Sequence, residues 1–366
     1  MTTRAAPLRV LVNLAYLRPG KVGGSEIYCR ELCRALSRRT DVALRLLLHR
    51  TAGDAIPEVA ERVVEGSGEW SQLQRLRLEN GALRREARGA DVVFSPANFA
   101  PVLPPGRPQV AAIHDLQHVW FPQHFSRRKW LEREALFRWT SRNAHLIAIS
   151  DFTRRDVERR YGGRVTTVLE GVDLQHRPSN ATVSAIRAEH GRFFYYPATD
   201  NAHKDHETAL RALARLRNTD VRLVLTGSKS DRWPALEALS QSLGISHRVQ
   251  HLGFVSHERV FELLAGSVGL VFPSRFEGFG LPLLEAMHCG APVVASAAAS
   301  IPEVAGDAAV LVSPGDSAAF AAAMDRFVED PAFVAEQVAR GRQNLERFSW
   351  DRCAAETLAV FQAACA

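Results

Sequence analysis

The stretch Phe272-Pro273-Ser274-Arg275-Phe276-Glu277-Gly278-Phe279-Gly280-Leu281-Pro282-Leu283-Leu284-Glu285-Ala286-Met287 decides how the chain is read. Residues 268–272 before it form a short apolar run of buried-strand type. Residues 281–289 after it read as a helix closed by Gly290. The product is a strand, a Gly-x-Gly turn and a helix whose first N–H groups are free to meet an anion. Glu277 precedes that anion site, and Glu285 is expected about two turns into the helix. Two carboxylates flanking such a turn can hold two parts of one ligand with a phosphate between them, which is the shape of a nucleotide-sugar.

Outward from this block the chain alternates apolar strands with amphipathic helices. Strands are expected at residues 8–16, 42–48, 91–95, 109–114, 145–150 and 165–169. Helices are expected at 25–37, 127–143 and from Asp151, with a polar, arginine-rich helical region at 71–88. A linker-like piece, Arg177-Pro178-Ser179-Asn180, follows Gly171-Val172-Asp173. The alternation then restarts with strands at 192–197, 221–227, 248–252, 268–272, 292–295 and 309–312. Helices near 204–216, 235–243, 258–265, 317–328, 333–347 and 351–364 complete the chain. Strands separated by helices imply parallel sheets covered on both faces. The expected architecture is α/β, two doubly wound domains in tandem, with ligand at the carboxyl ends of the strands where the domains face each other across a cleft. The boundaries are placed at 1–172 and 173–349, with a C-terminal helix at about 350–366 packing back on the first domain.

The 366 residues exceed one ordinary core. A hydrophobic content of 46% with 23% charged residues is that of a globular protein in water. No apolar run reaches the roughly 18–20 residues of a membrane span, and residues 1–7 lack a signal-peptide core, so a cytoplasmic location is expected. The five cysteines, Cys29, Cys33, Cys289, Cys353 and Cys365, offer no Cys-x-x-Cys and are expected to be reduced and packed. Charge is uneven: residues 1–172 hold 28 Lys/Arg against 18 Asp/Glu, and residues 173–366 hold 18 against 22. The basic half suits an anionic partner, although solvated helix faces explain it equally well.

Spacing removes several nucleotide enzymes. The third place of a Gly-x-Gly-x-x-Gly fingerprint is Leu283, no Gly-x4-Gly-Lys-Ser/Thr occurs, and the chain contains no Asp-x-Asp pair to hold a divalent cation on diphosphate. A diphosphate here is therefore expected to be neutralised by amides, a helix dipole and a lysine, with no metal and no cofactor.

Taken together, these residues resemble the retaining glycosyltransferases of family 4, whose members have the two-domain GT-B fold. The resemblance runs over nearly the whole chain. Its anchors are Gly23-Gly24-Ser25-Glu26, Ile113-His114-Asp115, Ile149-Ser150-Asp151-Phe152-Thr153, Tyr196-Pro197-Ala198 through His203-Lys204-Asp205-His206, Leu252-Gly253-Phe254-Val255, Glu277-x7-Glu285 and Ser300-Ile301-Pro302-Glu303-Val304-Ala305-Gly306.

The resemblance implies that Glu285 holds the nucleotide ribose, which suits a carboxylate accepting two O–H donors. Glu277 is expected on hydroxyls of the donor sugar. The turn Gly278-Phe279-Gly280-Leu281 is expected to meet the diphosphate or sugar through amides at Gly280 and Leu281. Lys204 is the expected phosphate cation. Many members carry an arginine where this chain has Ala198, and Arg275 is the candidate substitute. Gly23 and Gly24 are expected to cradle the diphosphate or sugar, and His114 to lie beside the anomeric centre, oriented by Asp115 or with Asp115 on the acceptor. Val255 is expected on the nucleobase through its backbone, and Thr226 on phosphate or base. His203 and His206 read as a cap or surface pair rather than a metal site.

The implied activity is transfer of a sugar from a nucleotide-sugar, GDP-mannose by preference or a UDP-sugar, to a glycan, polyprenyl-linked or small-molecule acceptor. The first domain is expected to bind the acceptor. Its segment from Trp120 to Trp130 mixes aromatics with Arg127-Arg128-Lys129 and suits an anionic membrane surface. Nucleic-acid signatures are absent. The competing readings are a GT-B nucleotide-sugar epimerase and a non-catalytic nucleotide- or carbohydrate-binding protein.

Overall fold

The structure, a computed structural model, describes residues 6–18, 24–66, 69–174 and 176–366. The chain divides into two compact units: Met1–Gly171 with Phe348–Ala366, and Val172–Arg347.

The first unit is built on a seven-stranded sheet of β1 (Leu8–Leu14), β2 (Val42–His49), β3 (Arg62–Glu65), β4 (Val92–Ser95), β5 (Gln109–Ile113), β6 (His145–Ala148) and β7 (Val165–Thr167). Their order is β3-β2-β1-β4-β5-β6-β7, and every pairing is parallel. The second unit holds six strands: β8 (Phe193–Pro197), β9 (Arg222–Thr226), β10 (Val249–His251), β11 (Gly269–Phe272), β12 (Val293–Ser296) and β13 (Val310–Val312). These run β10-β9-β8-β11-β12-β13, again all parallel. Both units thus have the doubly wound α/β order, in which the chain reverses direction across the sheet beside its first strand. The central strands read as near-continuous apolar runs because helices cover both faces: all of β4, β5, β11 and β12 is buried.

The last helix, Trp350–Cys365, belongs to the first unit. Ser349 caps it by accepting from the Arg352 amide, Phe361 packs on Phe94 with ring centroids 5.0 Å apart, and Trp350 approaches Tyr28 at 6.1 Å. Gly171 makes the approach of this helix start possible, since a Cβ there would lie 2.3 Å from the Trp350 nitrogen. No helix among the described residues is long and apolar enough to cross a membrane.

Some elements differ from the sequence reading. The region 71–88 is broken at Gly81 into Gln72–Asn80 and Ala82–Glu86, because a glycine with φ −106° and ψ −81° interrupts the helical run. β3 and the helix Asn180–His190 were not foreseen. β3 is a four-residue edge strand carrying Arg62 and Glu65, and the helix starts from a Ser179 cap inside what reads as linker. Glu285 is the fifth residue of its helix, Leu281–His288, so it lies just over one turn in rather than two.

Candidate functional site

In the second unit the order of strands reverses between β8 and β11, where ligands of open α/β sheets bind outside the carboxyl ends. The two loops leaving those ends carry Lys204 and Glu277. The Lys204 ammonium lies 2.7 Å and 2.8 Å from the two Glu277 carboxylate oxygens, and both side chains are largely buried. A charge-assisted fork of this kind fixes two residues 73 positions apart in sequence.

Buried hydroxyls hold the surrounding backbone. The Tyr196 hydroxyl donates to the Lys204 carbonyl at 2.6 Å and lies 3.0 Å from the Ser274 hydroxyl, tying the lysine loop to the glutamate loop. The Ser300 hydroxyl lies 2.9 Å from the Glu277 carbonyl and 2.8 Å from the Phe279 carbonyl, clamping the turn from the other side. The Arg275 amide donates to the His203 carbonyl at 2.7 Å, and its Nε donates to Asp205 at 2.8 Å. Arg275 therefore sits beside the Lys204 loop as expected, but it shares its charge with Asp205.

Gly280 caps the helix Leu281–His288 with φ +115°, a conformation open to glycine, and no side chain caps this helix start. Pro282 lacks an N–H and the Leu283 amide bonds the Gly280 carbonyl, so the donors left for an anion are few and include the Leu281 amide. One turn on, Glu285 is 6% exposed, and its carboxylate lies 2.7 Å from His257 Nε2. His257, the first residue of the helix His257–Gly266, was not singled out from sequence. It follows Val255, which is partly buried on the loop after β10, and the highly exposed Phe254.

Two expectations are corrected in this unit. Thr226 is buried with its hydroxyl 2.6 Å from Tyr195 and its carbonyl accepting from the Ala198 amide, so neither group is left for a phosphate or base. His203 and His206 are no surface pair: both are buried. His206 Nε2 faces the Ala198 carbonyl at 3.2 Å, and burial pushes its pKa down to about 4. Among the described residues no three His, Cys, Asp or Glu side chains gather as a metal site.

In the first unit His114 directly follows β5. Its amide donates to Asn98 Oδ1 at 2.8 Å, Nε2 donates to the Pro96 carbonyl at 2.7 Å, and Nδ1 stands 3.7 Å from a Glu170 oxygen. Asn98 adopts φ +61°, a cost accepted where a residue joins the ends of two strands. The partner expected for His114 is corrected: Asp115 accepts from the Gln117 amide, while the buried Glu170 faces the ring. Asn98 and Glu170 were missed. A carboxylate directly after the apolar run at 165–169 was the available signal for the latter.

Burial pulls the His114 pKa down, but Glu170, the Pro96 carbonyl and Asp115 outweigh it and the net shift is upward. Burial pushes the Glu170 carboxyl up as well, against the pull of His114. Both ring nitrogens face acceptors, so this pocket favours the imidazolium and suits it poorly to act as a base. Raised folded-state pKa values mean the fold holds protons more tightly than the unfolded chain. That stability is present at low pH and lost as pH rises through the folded values. The unfolding midpoint is expected to fall as pH rises above the ordinary histidine value of about 6.5, and to fall less in Glu170→Gln. Equal slopes in the two proteins would remove the electrostatic role of this pair.

Gly24 opens the helix Gly24–Ser37, and a Cβ there would meet nothing within 4 Å among the described residues, so packing does not demand the glycine. Gly23 lies outside the described residues. In the aromatic and basic segment, Trp120 is half exposed, with Phe152 at 5.7 Å, while Trp130 turns its indole N–H to the His118 carbonyl.

A doubly wound pair of units with this turn, lysine and glutamate pair defines the GT-B class. Two family profiles match in series, Glycosyltransferase Family 4 over residues 22–176 and Glycosyl transferases group 1 over residues 183–344. The chain belongs to this glycosyltransferase family. It is similar to the O-antigen chain mannosyltransferase B of Escherichia coli, 26% identical over 92% of this chain and 94% of that one. It also resembles the MMP α-(1→4)-mannosyltransferase of Mycolicibacterium hassiacum, 40% identical over 43% of this chain and 39% of that one. Among solved structures, Anabaena HepE in complex with UDP and glucose superposes with a TM-score of 0.78 at 21% identity, covering 97% of this chain and all of that one. Sucrose-phosphate synthase from Thermosynechococcus elongatus gives 0.80 at 21% identity, covering 97% and 98%. These two likenesses concern the fold.

Proposed function

We propose that the protein is a retaining, metal-independent glycosyltransferase that moves a hexose from a nucleoside diphosphate to an acceptor hydroxyl. The observation that carries this reading is the Lys204–Glu277 fork at the strand-order reversal of the second unit. Lys204 with the amides at the start of Leu281–His288 neutralises the diphosphate, Glu277 holds sugar hydroxyls, and Glu285 holds the ribose. As the bond from the anomeric carbon to the diphosphate breaks, charge grows on the leaving oxygen, where a preorganised cation and amide dipoles act most strongly. The acceptor oxygen forms the new bond on the same face, and its proton passes to the departing phosphate. The proposed sugar is mannose, carried by GDP; two mannosyltransferase relatives support the mannose, and the O-antigen relative supports a glycan acceptor. The acceptor role goes to the first unit, where the Pro96 carbonyl and Glu170 hold the His114 ring.

Thermal unfolding with GDP, UDP, ADP and dTDP, each with and without EDTA, tests the reading. A ligand at a hundred times its dissociation constant adds about 2.7 kcal/mol, a visible shift of the midpoint. GDP stabilising equally with and without EDTA is the expected result. No shift with any nucleotide would overturn the donor site and favour a non-catalytic protein.

A further inference from the structure

The first unit carries a guanidinium that no carboxylate among the described residues meets in a hydrogen bond or ion pair. Arg133, on the helix Arg127–Asn143, has no hydrogen-bond or ion-pair partner among the described residues, and its Nε is both shielded from solvent and unbonded. Its guanidinium stands 5.6 Å from the Phe99 ring, 5.4 Å from Phe125 and 5.8 Å from Phe137. Such ring contacts attract a cation but leave its N–H donors unused. Desolvation holds the Arg133 pKa below its ordinary value. The nearby carboxylates, Asp115 and Glu132, attract it only through space.

The start of the same helix repeats the pattern. Arg127, Arg128 and the exposed Lys129 occupy a first turn that holds no acid, against the helix dipole. Lys129 lies four residues before Arg133, a like-charge pair on one face of the helix. Several local rules broken together mark a place shaped by function rather than by folding.

The position of the ring cage says which function. Phe99 follows Asn98, whose side chain holds the His114 amide, and Asp115 follows His114. Arg133 therefore stands at the carboxyl edge of β4 and β5, next to the residues that flank His114. We propose that Arg133 binds an anionic group, a phosphate ester, carried by the acceptor, while Asp115 accepts a hydrogen bond from an acceptor hydroxyl. The planar guanidinium offers the fork that a phosphate fits. This rests on reading the first unit as the acceptor side.

Inorganic phosphate and hexyl phosphate are titrated into the full chain while tryptophan emission is followed, Trp130 lying three residues from Arg133. Lys204→Gln serves to exclude the donor site. The expected result is a saturable change in wild type and in Lys204→Gln, at least tenfold weaker binding in Arg133→Gln, and tighter binding in Asp115→Asn, where the competing carboxylate is gone. Tighter binding of hexyl phosphate assigns the anion to a lipid-linked acceptor, and equal binding assigns it to a soluble one. No saturable change in wild type, or an Arg133→Gln titration equal to wild type, overturns the proposal. Asp115→Asn keeps the test open should Arg133→Gln fail to fold, since phosphate affinity unchanged there overturns it too. Nucleoside diphosphate stabilisation measured on the same samples separates this failure from failure of the donor reading.

Discussion

Glu277→Ala is expected to lower turnover by about a hundredfold to a thousandfold while nucleoside diphosphate binding holds or tightens. The argument starts from the fork. In the free protein Glu277 occupies the ammonium of Lys204 with both oxygens, so a diphosphate must compete with a carboxylate for that cation. Deleting the carboxylate releases Lys204 to the phosphate, which favours ground-state binding. It also removes the group assigned to the donor sugar, so the sugar is no longer held where the bond breaks. Lys204→Ala has the opposite signature: an unneutralised Glu277 then faces the diphosphate, and both affinity and turnover drop. Breaking a fully buried pair costs about 3–5 kcal/mol. These side chains retain some exposure, so a smaller loss of stability is expected and both variants should stay folded. Steady-state kinetics with nucleotide binding by calorimetry decide the matter. Near-normal turnover in Glu277→Ala would remove Glu277 from the chemistry.

The chain announced its architecture because both sheets are parallel and buried on two faces, which leaves uninterrupted apolar runs separated by helices. Where that condition failed, reading failed. β3 buries none of its four residues and carries a charge at each end, and the helix Asn180–His190 carries Thr182, Val183 and Ser184, residues with little helical preference. The site was legible to the extent that it is built from loops following strands, and the resemblance placed Lys204, Glu277 and Glu285 before the structure brought Lys204 onto Glu277.

What sequence concealed are the long-range partners. His257 meets Glu285 across 28 residues, Glu170 meets His114 across 56, and Tyr196 reaches Ser274 across 78. None has a spacing that advertises it. Thr226 shows the reverse error: a hydroxyl at a strand's carboxyl end reads as a ligand contact, yet the neighbouring Tyr195 hydroxyl claims it inside the core.

Glu285→Ala is expected to weaken nucleotide binding by about ten- to a hundredfold, the loss of one or two hydrogen bonds to a charged acceptor. His257 supplies the sharper test, because its Nε2 meets that carboxylate and its ring lies 5.0 Å from the Phe261 ring. A nearly buried carboxylate with one oxygen fixed at 2.7 Å keeps its orientation before the ribose arrives, so less conformational entropy is lost on binding. His257→Ala should therefore weaken nucleotide binding less than Glu285→Ala does, and leave turnover at saturating donor unchanged. The double variant should bind no more weakly than Glu285→Ala alone, since a residue acting only through another contributes nothing once that partner is gone. Full additivity in the cycle would mean that His257 touches the nucleotide itself, and its role would then be recognition rather than positioning.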